Sequence, residues 1–148
     1  MSTKQVLFLC TGNSCRSQMA EGLVNYFLSD QWKAYSAGTK PAGYVHPMAI
    51  QVMAEFDIDL SRNHSKSVEE FRHVSPDLVI TVCDDAAEDC PVWLGQGHKA
   101  HLSFPDPAKA TGTLEEQLVV FRTVRDDIRQ RVFDYLATVQ LTGSSKAV

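Results

Sequence analysis

The sequence predicts a single α/β domain with a four-stranded parallel sheet flanked by helices. Four short apolar runs rich in β-formers recur along the chain, and amphipathic stretches of helical period lie between them. Two of the runs, 5–10 and 77–83, are almost continuously apolar, as strands covered on both faces are. Strand and helix in alternation give a parallel sheet with right-handed crossovers.

In chain order, QVLFLC (5–10) is the first strand, and from Ser17 the apolar residues Met19, Leu23, Tyr26 and Phe27 recur at three- and four-residue steps as a helix face. WKAYSA (32–37) is the second strand. After His46 and Pro47, Ala49, Ile50, Met53 and Phe56 mark another helix. DLVITVC (77–83) and KAHLSF (99–104) complete the sheet. The longest helix runs from about Leu114 to Val139, with Leu118, Phe121, Val124, Ile128, Val132, Tyr135 and Val139 as its buried stripe. The domain is expected over 1–140, and LTGSSKAV (141–148) reads as a frayed tail.

Composition narrows the function classes. A chain of 148 residues, 44% hydrophobic and 22% charged, is an ordinary globular domain with no apolar run of membrane-span length. The start, MSTKQVLFLC, has too short an apolar run for a signal peptide, so the expected location is the cytoplasm and the expected state a monomer. A net charge of −4 argues against a broad basic face for nucleic acid. Four cysteines in a reducing compartment are thiols at rest, and a disulfide there is more often catalytic than structural.

Ligands of such sheets bind beyond the carboxyl ends of the strands. Cys10, Cys83 and Phe104-Pro105-Asp106 all fall at or just past such ends. After the first strand the chain passes through Thr11, Gly12, Asn13, Ser14 and Cys15 and enters a helix at Arg16 and Ser17. Successive N–H groups of a tight turn, the unsatisfied donors of a helix start and a guanidinium fork together make a cradle for a tetrahedral oxyanion. Gly12 permits a positive φ and Asn13 tolerates one. The same field stabilises a thiolate at Cys10, the candidate nucleophile. Cys15, entering the helix, reads as a packing residue.

The segment CTGNSCRSQMAEG resembles the phosphate-binding loop of the low-molecular-weight protein tyrosine phosphatase fold, and more closely that of the thioredoxin-coupled arsenate reductases built on it. The resemblance extends through YSAG (35–38), DIDLS (57–61), DLVITVCDDAAEDCP (77–91), the D-P at 106–107 and FRTVRDDI (121–128). It implies Cys10 as nucleophile, residues 11–17 as the oxyanion site with Arg16, and Asp106 as the acid. No cofactor or metal is expected. The five histidines show no metal-ligand spacing and read as surface or turn residues.

A phosphatase of this fold needs one cysteine, whereas reducing arsenate takes two electrons, which a second thiol can supply by attacking Cys10 and expelling arsenite. Cys83 is the candidate for that attack, and Cys90 could then attack Cys83 and export the disulfide; the resemblance assigns the same roles. Were the chain helical from Cys83 to Cys90, the two would lie about 10.5 Å apart along the axis, beyond the roughly 7 Å that a disulfide spans between Cα atoms. Residues 84–89, DDAAED, are therefore expected to be looped already or to unwind on oxidation.

Ala108 and Lys109 follow the D-P where the phosphatases place tyrosines, which suits a small inorganic oxyanion, arsenate, with phosphate and sulfate as competitors. In the resembling reductases residues matching Asn13 and Ser36 hold the loop, and some members bind potassium nearby. Here NHSKS (63–67) carries Lys66 in place of an acidic residue. Either its ammonium stands in for the cation or it is a solvated lysine. Arsenate reduction through Cys10, Cys83 and Cys90, with thioredoxin as reductant, is the leading reading. A tyrosine phosphatase and an oxyanion-binding redox sensor are the alternatives, and a glutathione or mycothiol route is the alternative for recycling.

Overall fold

The structure is a computed structural model that describes residues 3–84, 90–139 and 141. Four strands, β1 (Lys4–Cys10), β2 (Trp32–Gly38), β3 (Leu78–Thr81) and β4 (His98–His101), form one parallel sheet in the order β2-β1-β3-β4. The helices are α1 (Arg16–Phe27), α2 (Pro47–Ala54) and α3 (Leu114–Thr138). Both the sheet and the helix positions follow the sequence pattern. None of the described helices is long and apolar enough to cross a membrane.

Alternation along β1 divides the core. Val6, Phe8 and Cys10 face a large cluster with Met19 and Leu23 of α1, Val52 and Met53 of α2 and Phe121 and Ile128 of α3. Leu7 and Leu9 face a smaller cluster with Val79, Phe71 and Trp93. The sheet is thus covered on both faces, as its apolar strands require. The three α-helices share one face, while the 3-10 turn Val68–Phe71 and the Trp93 loop cover the other.

Some boundaries differ from the pattern. β3 ends at Thr81 and β4 at His101, short of the expected 83 and 104. One further backbone bond on each strand, Val82 N–H to Leu9 and Leu102 N–H to Thr81, closes the ladder. Cys83 and Phe104 therefore lie in the loops beyond the sheet. Phe56 lies outside α2, beyond its cap at Glu55 and just before Asp57, whose φ is +62°. At the end of α1, Tyr26 and Phe27 are exposed, and Phe27 packs edge-on to Phe56 and Phe133. Late in α3 it is Leu136, not Tyr135, that is buried. Of the expected tail 141–148, Leu141 packs on the core and residues 142–148 lie outside the described residues.

Candidate active site

The loop leaving β1 is held from outside by its own carbonyls. Thr11, Gly12 and Ser14 accept from the backbone N–H groups of Lys40, Ala42 and His46 at 2.9–3.0 Å, and Gly12 also accepts from the Ser65 hydroxyl at 2.9 Å. Asn13, buried, supplies the left-handed residue with φ +50°. Gly12 does not take the positive φ that its identity suggested, and a β-carbon there would meet nothing nearer than 3.7 Å. The glycine the loop requires is Gly38, at the end of β2: a β-carbon there would collide with the Thr11 carbonyl oxygen and lie 3.0 Å from the Cys10 carbonyl oxygen and 3.1 Å from the Asn13 nitrogen.

Asn13 is the hub of the support. Its Oδ1 accepts from Lys66 N–H at 2.8 Å and from Gln18 Nε2 at 3.0 Å, and its Nδ2 donates to Ser17 Oγ at 2.8 Å. Ser17 Oγ in turn lies 3.0 Å from Cys10 Sγ. With its oxygen taking the Asn13 proton, the Ser17 hydroxyl still has its own proton to offer a sulfur that has lost its hydrogen. Sequence reading placed Ser17 among the oxyanion ligands; the structure turns its side chain to the nucleophile.

Beneath this hub sits a cation. Lys66 Nζ lies 3.2 Å from the His64 carbonyl, 3.4 Å from Ser36 Oγ and 3.6 Å from Glu21 Oε1, and the Ser36 hydroxyl also donates to Glu21. The Lys66 side chain is 13% exposed, so it is not a solvated lysine. A potassium ion at this point would meet a like charge, and the residues present do not fit one.

Cys10, Gly12, Arg16, Cys90, Asp106 and Lys109 line a common cleft of about 650 Å³, with Lys40 also at its rim. Among the described residues, no aromatic side chain contributes to its lining. Arg16 is buried; its Nη1 donates to the Phe104 carbonyl at 3.1 Å and its Nη2 lies 3.8 Å from Asp106 Oδ2. The loops beyond β1 and β4 are thereby tied across the cleft. Asp106 caps the following turn, its Oδ1 accepting from Ala108 N–H at 3.0 Å. Cys15 is also buried, and desolvation pushes its thiol up to about 12, which leaves it inert at neutral pH.

Cys83 and Cys90 are joined by a disulfide with Cα atoms 5.8 Å apart, while Cys10 and Cys15 are free thiols. That separation is well short of the roughly 10.5 Å of a continuous helix. The expected rearrangement of 84–89 concerns a stretch of which 85–89 lie outside the described residues. The extended register of β1 and β3 puts Cys83 one residue beyond the position opposite Cys10, in the same buried cluster, while Cys90 lines the cleft. A histidine that linear spacing left out also arrives here: the ligand atoms of Cys83, Cys90 and His101 lie within 4.8 Å of one another. Only the pairing of β3 with β4 could reveal that.

Comparison with known proteins agrees with this geometry. Residues 5–145 match the family model described as low molecular weight phosphotyrosine protein phosphatase. A protein of Halalkalibacterium halodurans named arsenate reductase is 46% identical over 93% of this chain and 99% of its own length. The arsenate reductase of Bacillus subtilis is 44% identical with the same coverage. A solved structure described as an arsenate reductase in the phosphate binding state superposes with a TM-score of 0.77 at 35% identity, covering 93% of this chain and all of that one.

Proposed function

Because the chain belongs to the low molecular weight phosphotyrosine protein phosphatase family, and has arsenate reductases as relatives along nearly its whole length, we propose that it reduces arsenate to arsenite through a relay of three thiols. Arsenate sits in the cradle of residues 11–17, its oxygens on loop N–H groups and the Arg16 guanidinium. With the carbonyls of Thr11, Gly12 and Ser14 committed outward, the loop offers donors to an anion. Phosphate and sulfate compete for the same donors.

Cys10 Sγ attacks arsenic, and Asp106 protonates the oxygen that leaves as water. Cys83 Sγ then attacks Cys10 Sγ. The electron pair of the S–As bond stays on arsenic, which leaves as arsenite in the +3 state, and a Cys10–Cys83 disulfide remains. Cys90 attacks Cys83, which frees Cys10 and moves the oxidation to Cys83–Cys90. A dithiol protein, thioredoxin, returns that pair to thiols in the cytoplasm, where the chain works as a monomer.

The observation that carries this reading is the Cys83–Cys90 bridge, with Cys90 on the wall of the cleft that holds Cys10, Arg16 and Asp106. Simple phosphoester hydrolysis has no use for that pair, and the described lining, with Arg16, Lys40 and Lys109 around the thiol, suits a small oxyanion. Cys83→Ser and Cys90→Ser are expected to stop arsenate turnover while sparing slow hydrolysis of a small aryl phosphate. Full arsenate turnover in either variant overturns the relay.

A further inference from the structure

His101 belongs to no step of the relay, yet its imidazole stands beside both relay sulfurs. We infer that, once the disulfide is reduced, Cys83, Cys90 and His101 form a binding site for a divalent metal ion of zinc type. The ligand atoms of the three already lie within 4.8 Å of one another. Two thiolates and one imidazole are a set that zinc accepts, with a fourth position left for water.

The backbone needs little adjustment. Tetrahedral zinc with bonds of about 2.3 Å holds two sulfurs about 3.8 Å apart, against about 2.0 Å in a disulfide. Rotation about the Cα–Cβ bonds supplies that difference at the observed Cα separation of 5.8 Å. The two residues anchoring the site from the sheet are fixed: Thr81 and His101 are register partners across β3 and β4.

A separate observation supports a metal-ready histidine. Thr81 Oγ1 lies 2.6 Å from His101 Nδ1 and donates its own proton towards the Ala100 carbonyl at 3.5 Å. In the tautomer in which Nδ1–H donates to that hydroxyl oxygen, Nε2 is the nitrogen left for the metal. A partner on the other ring nitrogen is what orients metal-binding histidines.

The reaction is balanced. An external dithiol supplies two electrons and two protons to open the disulfide, and zinc then displaces the two thiol protons without any change in oxidation state. A zinc-bound Cys83 cannot attack Cys10, so the metal holds the relay in its reduced form. The site does not rest on the arsenate reading, since metal binding is measured without arsenate.

The test uses the full chain, reduced with a dithiol that is then removed, and titrated with cobalt(II) and zinc(II). One equivalent of cobalt is expected to give a sulfur-to-metal charge-transfer band that zinc abolishes. The exposed His101→Ala and the neighbouring Thr81→Val are expected to weaken binding, the second by about tenfold as for other orienting partners. No band in the reduced protein overturns the site. So does a band that survives Cys90→Ser, which would belong to the loop thiols, or one whose affinity is unchanged in His101→Ala.

Discussion

The ammonium of Lys66 lies 3.6 Å from the Glu21 carboxylate, on the underside of the loop that carries the nucleophile. The same lysine donates its backbone N–H to Asn13 Oδ1, so one residue supplies both a charge and a strut. A tethered cation is present at full occupancy whatever the salt. Potassium is therefore expected to leave arsenate turnover unchanged at constant ionic strength. Lys66→Ala leaves Glu21 without its ammonium partner, and its activity and melting temperature are expected to fall and to recover in part with potassium but not with a bulky quaternary ammonium. Strong potassium stimulation of the unaltered protein would contradict this assignment.

Gly38 is expected to tolerate no side chain. The atoms that an added β-carbon would meet belong to the backbone of the oxyanion loop and cannot swing away. Gly38→Ala is expected to cost about 1–3 kcal/mol by overpacking, or roughly 2–4 °C in melting temperature per kcal/mol. Because the strain falls on Thr11 and Asn13, phosphate binding by titration calorimetry should weaken as well. Gly12→Ala, whose β-carbon would meet only ordinary contacts at 3.7 Å and beyond, serves as the mild comparison.

Ser17→Ala removes the hydroxyl 3.0 Å from Cys10 Sγ. A hydrogen bond of this kind is worth about 0.5–1.5 kcal/mol net, so alkylation of Cys10 should slow by about two- to tenfold. Mapping of the alkylated peptides should find Cys15 unmodified in both proteins, since burial holds its thiol up at about 12.

His46 gives the fold a pH limit. It caps α2 through Nδ1, which accepts from Met48 N–H at 3.1 Å, and it packs against Phe121. Burial lowers its pKa below the ordinary 6.5, against the opposing charge of Asp106. The unfolded chain therefore binds this proton more readily than the folded one. The contribution to stability is complete above pH about 6.5 and declines as pH falls from there towards the folded-state pKa. His46→Asn keeps a cap without a titrating ring and is expected to flatten the melting temperature over that window.

Much of this was legible in the sequence because it follows from local pattern. The apolar runs and helix stripes mark the sheet order's four members, and C-x5-R between a strand and a helix marks the cradle. What stayed hidden depends on contacts between distant segments. Gly38 and Lys66 meet the loop only after β2 and the 63–67 stretch have packed beside it. His101 reaches Cys83 and Cys90 through strand register, which no spacing in the chain encodes. Gly12 misled for the converse reason: a glycine in a tight loop suggests a positive φ, but Asn13, held by three side-chain hydrogen bonds, takes it instead.

The most direct test of the relay is peptide mapping by mass spectrometry of the fully reduced protein after one equivalent of arsenate, with no other reductant present. The expected result is a Cys83–Cys90 disulfide together with one equivalent of arsenite and Cys10 as a free thiol. Cysteines that all remain thiols, in a protein that still hydrolyses an aryl phosphate, would contradict the relay and make the chain a phosphatase.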